Sequence, residues 1–350
     1  MVSQSESKSI PMTEAEYEQL GLYYFASVDL VGSTSFKSAG NNQRKSDNPE
    51  EHHNWLDDFT IFYRELPREF EYNARNLSCQ SIPKVWKTNG DEILFCAQIS
   101  EIKDIQILCE SLESACKTYR AGCLSDKLGL KLCSWLGGTP VINKRLCDNI
   151  SHHVLANLIN TCIDKSDIRE RASEVFAKLE SKVEFIGPSI DAGFRLAHYA
   201  SRNMHILSVE LALVLAELSL EINPDVLGIY YISDKSLKGV LGERDYPLFF
   251  KIVDDPLFTS RLELQGHTFK KPQRIREFCM EFINDVNDPF LIVRPYIKDS
   301  KDENWNKVPD NHEKFWKGIQ DSMNKRYAIE KKEEDAGENL PPELSDLKIK

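Results

Sequence analysis

A chain of 350 residues, 41% hydrophobic and 28% charged, carries enough apolar material for one large core or two modest ones. The 44 Lys and Arg against 55 Asp and Glu leave a formal charge of −11, which argues against a protein that coats nucleic acid through bulk positive charge. The cysteines number 9, with no C-x-x-C pair and mostly apolar surroundings, so reduced thiols in a cytoplasmic protein are expected rather than a disulfide or zinc framework.

Residues 1–20 are polar and acidic and are predicted to form a loose arm or a first helix, with no signal peptide. LYYFASVDLVGS then reads as a buried strand that leaves the core through a tight Gly-Ser-Thr loop, with Asp29 at the strand's end. From Pro49 to Arg75 the apolar positions Trp55, Phe59, Phe62, Tyr63, Leu66 and Phe70 recur at helical spacing. KVWKTNGDEILFC, 84–96, reads as a hairpin turning at Asn89-Gly90, with Asp91 immediately after the turn. A second helix is predicted over 101–123, then a strand from Leu130 that turns at Gly137-Gly138. The segment 143–182 is polar and partly helical in period; it leads into VEFIGPS and a helix over Asp191–Met204.

The longest apolar stretch, Ile206–Ile222, contains Glu210, Glu217 and Glu221 and therefore reads as a strand running into an amphipathic helix, not a membrane span. A closing hairpin is predicted over 237–253, followed by helices at Pro272–Val286 and His312–Ile329 and a disordered acidic tail. This order of elements predicts an α+β fold, helices packed on a mainly antiparallel sheet.

The chemistry is expected at Asp29 and Asp91. If their strands are neighbours, both acids project from one rim, where they can hold two divalent cations about 4 Å apart that clamp the attacking and leaving oxygens of a phosphoryl displacement. Oxygen ligands favour Mg²⁺ or Mn²⁺. The loop through Gly32, Ser33 and Thr34 offers backbone N–H groups to a phosphate. On spacing alone the competing reading stays open, in which Asp29 caps a loop and Asp91 is an ordinary turn residue. The adjacent pairs His52-His53 and His152-His153 diverge on any regular element and are not expected to bind metal, and no G-x-S-x-G elbow is present.

FASVDLVGSTSFK, WKTNGDEILF and FIGPSIDAGFRLA, in that order, resemble the three motifs of class III nucleotidyl cyclase catalytic domains over residues 20–255. The resemblance implies a ferredoxin-like βααβ core in a catalytic domain at 21–255, preceded by the arm at 1–20 and followed by a helical extension at 256–330 and a tail at 331–350. It implies that Asp29, Asp91 and the backbone carbonyl of Leu30 hold two Mn²⁺ or Mg²⁺ ions. Lys87 and Glu184 fall at the base-reading positions, and Arg195 at the arginine that stabilises charge on the α-phosphate. Two positions depart from the pattern: Asp191 stands where the family usually has Asn, and Lys238 is an imperfect substitute for a triphosphate-holding lysine that aligns near Val240. Phe25, on the strand face of Asp29, is a candidate for lining the base pocket, with a place in the core as the competing reading.

Within the family the compact SVDLVGS and NGDE motifs look most like the pyrimidine cyclases of Pycsar anti-phage systems. That likeness implies UTP as substrate, with CTP as the alternative, and cyclic UMP as a messenger for a separate effector protein. It further implies a head-to-tail homodimer with shared sites, and neither nucleic acid nor membrane as partner. A purine cyclase and a degenerate nucleotide-binding module remain the alternatives.

Overall fold

A computed structural model describes residues 20–43, 55–124, 127–147, 183–222 and 227–337. Strand β1 (Gly21–Val31) has apolar residues on both faces, which suits only a central position, and it lies between β3 (Glu92–Gln98) and β4 (Gly129–Thr139), antiparallel to both. Between β1 and β3 the chain forms α1 (Ser33–Gln43), α2 (Trp55–Asn76) and β2 (Lys84–Asn89), and α3 (Lys103–Gly122) connects β3 to β4. The resulting order β2-β3-β1-β4, all antiparallel, is the ferredoxin-like core, extended by β7 (Met204–Leu207), β9 (Asp245–Ile252) and β8 (Tyr230–Ser236) into a seven-stranded sheet. Only the β4–β7 pairing is parallel. The fold class is α+β, as expected.

Alternation along β1 assigns the two faces. Its even-numbered side chains meet α2 and α3: Phe70 of α2 packs edge-on against Phe95, the cross-strand partner of Ala26, and Phe62 of α2 meets Tyr119 of α3. Its odd-numbered side chains meet α4 (Pro188–Ala197) and the two-stranded ribbon of β5 (Lys144–Cys147) and β6 (Val183–Ile186). Helix α5 (Val209–Ile222) is buried almost all round, which explains its long apolar run, because α7 (Pro272–Val286) covers its outer side. Ile275, Cys279, Ile283 and Trp305 join the same continuous core as β1. Helices α6 (Pro256–Leu264) and α8 (Asp310–Gly337) complete the described chain.

Several expectations need correction. No turn forms at Gly137-Gly138: β4 runs through to Thr139, and glycine suits Gly137 because a Cβ there would stand 3.1 Å from both Phe25 and Asn143. The helix expected at 191–204 starts earlier, at Pro188, and ends at Ala197. The closing hairpin is formed by Tyr230–Ser236 and Asp245–Ile252, so Leu237–Val240 lies in the connection rather than in a strand. Helix α8 continues through Gly337, into the segment expected to be disordered. The expected arm, most of 143–182 and the last 13 residues lie outside the described residues. Cys79, Cys96, Cys109, Cys116, Cys123, Cys133 and Cys279 are free thiols.

Candidate functional site

The two acids meet at one end of the sheet. Asp29 is the third-last residue of β1 and pairs with Glu92 of β3 on one side and Lys131 of β4 on the other. The β2–β3 loop has only two residues, Gly90 and Asp91, because Asn89 already pairs with Glu92. Asp91 therefore sits in the turn itself, behind a glycine whose φ of +64° other residues rarely adopt. The Leu30 amide donates to the Asp91 carbonyl at 3.2 Å and ties the end of β1 to the hairpin tip. The Ser33 hydroxyl donates to the Asp91 carboxylate, and the Tyr63 hydroxyl of α2 donates to the Gly90 carbonyl. The loop of Gly32, Ser33 and Thr34 thus opens α1 directly beside the acid pair.

This rim is short of positive charge. Burial raises the Asp29 carboxyl above its ordinary range and the neighbouring Asp91 adds to the rise, while the ion pair with Lys131 at 2.7 Å opposes both. The Tyr63 phenol is pushed up by burial and then by the two carboxylates. Among the described residues no group of three or more His, Cys, Asp or Glu is placed to hold a metal. A cation here would rest on Asp29, Asp91 and the Leu30 carbonyl. That sparse, all-oxygen set suits Mg²⁺ or Mn²⁺, which complete their shells with water and substrate phosphates; two crowded carboxylates, one of them resisting ionisation, fit such an ion.

A second cluster forms where β2 meets β6. Lys87 donates to Glu184 at 2.6 Å, and its ammonium lies 4.2 Å from the Trp86 ring centroid and 5.4 Å from that of Phe194. The Trp86 indole N–H donates to the Val183 carbonyl at 2.9 Å, holding the β2 edge against the ribbon. The two residues expected to read the base are thus brought together. Helix α4 is preceded by Gly187, whose φ of +143° and whose approach to Ile142 and Asn143 require glycine. Asn143 fixes that start by accepting from the Ser189 amide at 3.1 Å and donating to the Gly138 carbonyl at 3.0 Å. One turn into the helix Asp191 is exposed; on its far end the Arg195 guanidinium donates to the Lys238 carbonyl at 3.3 Å. Arg195 and Lys238 are therefore neighbours.

Of the two readings of Phe25, the structure supports the core one over the pocket lining. It is 0% exposed, enclosed by Trp86, Trp135 and Phe185 at centroid distances of 4.9–5.6 Å. It is a floor beneath the Trp86–Phe194 wall and has no surface to offer a base. Sequence reasoning missed Lys131, Glu92 and Tyr63. Lys131 and Glu92 become visible only through strand register, and Tyr63 read as one more apolar helix position.

Among the described residues no hydrogen bond or ion pair links the Asp29–Asp91 rim to the Lys87–Glu184 cluster. No helix among them is long and apolar enough to cross a membrane.

No protein-family model matches the sequence, and no curated protein matches it. Solved structures similar to the chain include the adenylyl cyclase CyaB from P. aeruginosa, at 13% identity over 68% of this chain and 97% of that one, TM-score 0.40. The guanylate cyclase domain of RhGC from Catenaria anguillulae in complex with GTP is 12% identical over 67% and 98%, TM-score 0.41. Adenylate cyclases from Trypanosoma brucei in their monomeric state are 11% identical over 67% and 90%, TM-score 0.42.

Proposed function

We propose that the chain is a nucleotidyl cyclase that converts UTP to 3′,5′-cyclic UMP and pyrophosphate, with CTP as the alternative substrate. The observation that carries the cyclase reading is the convergence of Asp29 and Asp91 on one rim, bonded together through Leu30, beside the loop that opens α1. The pyrimidine reading is finer and stands on the motif resemblance together with the paired Lys87 and Glu184. A uracil N3–H can donate to Glu184 while Lys87 donates to O4. Cytosine, or a purine with its exocyclic amine, would use the same two groups differently.

In this reading the ribose 3′-oxygen attacks the α-phosphorus and the bond to pyrophosphate breaks. Asp29, Asp91 and the Leu30 carbonyl would hold divalent cations, whose positive charge would acidify the attacking hydroxyl and offset the charge on the leaving pyrophosphate. The amides of Gly32, Ser33 and Thr34 face the phosphates from the start of α1. Arg195 stabilises charge on the α-phosphate, and Asp191 and Lys238 border it. The reading includes a homodimer in which one protomer supplies the acids and its partner the arginine and base-reading pair, as the motif resemblance implies. Residues 21–255 would form the catalytic unit and 256–330 its helical extension, in a cytoplasmic enzyme whose product signals phage infection to a separate effector.

Incubating the protein with Mn²⁺ and each ribonucleoside triphosphate in turn, with mass-spectrometric detection, tests the reading. Cyclic UMP from UTP, lost in Asp91→Asn, is the expected result. A product only from ATP or GTP would keep the cyclase and discard the pyrimidine assignment and the anti-phage role. No product from any of the four would sink the enzymatic reading. Mixing inactive Asp29→Asn with inactive Arg195→Ala chains should restore part of the activity; no recovery in confirmed mixed dimers would refute the shared site.

A further inference from the structure

The acid pair has a cation of the chain's own. Lys131 stands directly opposite Asp29 in the β1–β4 ladder, so both side chains leave the same sheet face, and its ammonium reaches Asp29 Oδ2 at 2.7 Å. The two side chains are only 26% and 22% exposed, which shields the pair from free exchange with water. On Asp29's other side stands Glu92, whose carboxylate accepts from the Ser27 hydroxyl and is not neutralised by any ion pair among the described residues. No second Lys or Arg forms an ion pair with Asp29 or Asp91 among the described residues. Lys131 is thus the one lysine or arginine ion-paired with the Asp29–Asp91 acids among the described residues.

We propose that Lys131 is a built-in competitor for the divalent cation: it holds Asp29 in the cation-free protein, must release it for the cation to bind, and so sets the affinity of the acid pair. The proposal rests on the cyclase reading only in that the pair takes a cation. A lone pair that accepts from an ammonium is not available to a metal ion, and the ammonium repels a second cation brought within a few ångströms. Lysine suits the task because its flexible stem and compact charge allow it to swing away, whereas a forked guanidinium would grip the carboxylate at two points. Without it, the cation-free rim would crowd carboxylates with nothing between them. Once displaced, the ammonium is free to face the anionic oxygens that arrive with the cation.

The test is a titration of the full-length protein with Mn²⁺ alone, free Mn²⁺ being read by electron paramagnetic resonance and binding also by the rise in melting temperature. Lys131→Met should bind Mn²⁺ roughly tenfold more tightly than wild type, the scale of one charge interaction at a partly exposed site. Lys131→Arg should bind no more tightly than wild type, and Asp91→Asn should lose binding in every background. Equal or weaker binding by Lys131→Met, with the Asp91 dependence intact, would overturn the competitor and leave the cation site standing. Binding by neither wild type nor Lys131→Met would overturn the cation site and the competitor together. If Lys131→Met fails to fold, Lys131→Gln removes the same charge and carries the same outcomes.

Discussion

Two polar clusters built from similar kinds of residue lie on opposite faces of the sheet, and they differ in how far their carboxylates are neutralised. On the helical face Glu113 of α3 bonds to Lys251 and to His205, each within 2.8 Å, and His205 bonds in turn to Ser134, which bonds to Tyr24. Burial alone would push the Glu113 carboxyl up, but Lys251 and His205 together hold it down at about 2. At the rim Asp29 has one lysine against two acidic neighbours, and its carboxyl is raised. The Ser134–His205–Glu113 chain has the outline of a hydrolase relay, yet Ser134 and His205 are both 0% exposed, so no substrate reaches them. Satisfied charge in the core holds the fold together, while the charge left over at the rim is available to a ligand.

Exchanging one acid from each cluster tests that division most severely. Asp29→Asn or Asp91→Asn is expected to cut cyclase turnover roughly 1000-fold, as the loss of several kcal/mol of charge stabilisation would, while the urea midpoint stays level or rises because a like charge has gone. Glu113→Gln should do the reverse. Leaving Lys251 buried without its partner costs about 3 kcal/mol, read as a lower urea midpoint, with turnover per folded molecule unchanged. If Glu113→Gln removed turnover without loss of stability, the division of labour would be wrong.

Acid sharpens the same contrast, because the two carboxyls shift in opposite directions. The folded-state pKa of Glu113 is depressed to about 2, so its contribution to stability is whole above the unfolded value near 4.5 and is lost as pH falls from there toward 2. Asp29 is raised above 3.8, so the native state takes up its proton first; this carboxyl favours folding slightly at low pH, and the contribution is lost as pH rises through the raised value. Cation binding needs the ionised form. The increase in melting temperature given by Mn²⁺ should therefore shrink on acidification, as Asp29 takes up its proton. An increase that stayed constant down to the pH of acid unfolding would contradict the assignment of the raised carboxyl to the cation site.

How much of this was visible in the sequence depends on the range of the contacts. Strand β1, the β2–β3 hairpin and α7 follow from local pattern: an apolar run, Asn-Gly, and helical spacing. Asp29 and Asp91 were found because each marks the end of such an element. Gly137-Gly138 misled because a paired glycine signals a turn locally, whereas here Phe25 and Asn143 press against the strand from elsewhere in the chain. Strand β8 hid behind a polar sequence and an irregularity between Tyr231 and Asp234. Lys131 had no signal of its own, since only the β1–β4 register makes it the partner of Asp29. The strand face of Phe25 is legible from alternation, but the choice between core and pocket lining is not, because periodicity gives direction and not cover.

The smallest expected effect concerns Lys87 and Glu184, a pair that resembles the core cluster in geometry and the rim in exposure. Its distance of 2.6 Å would suit a structural clamp, but the side chains are 30% and 38% exposed, and pairs of that kind contribute under about 1 kcal/mol to stability. A double-mutant cycle of Lys87→Met and Glu184→Gln by urea denaturation should give a coupling energy in that small range. The same two variants should redistribute activity among the four nucleoside triphosphates, because a methionine cannot donate to a base and a neutral glutamine presents a donor as well as an acceptor. A coupling energy of several kcal/mol with unchanged nucleotide preference would move this pair to the side of Glu113, as a bolt between β2 and β6. Weak coupling with altered preference would place it with the rim, as part of the surface that chooses the substrate.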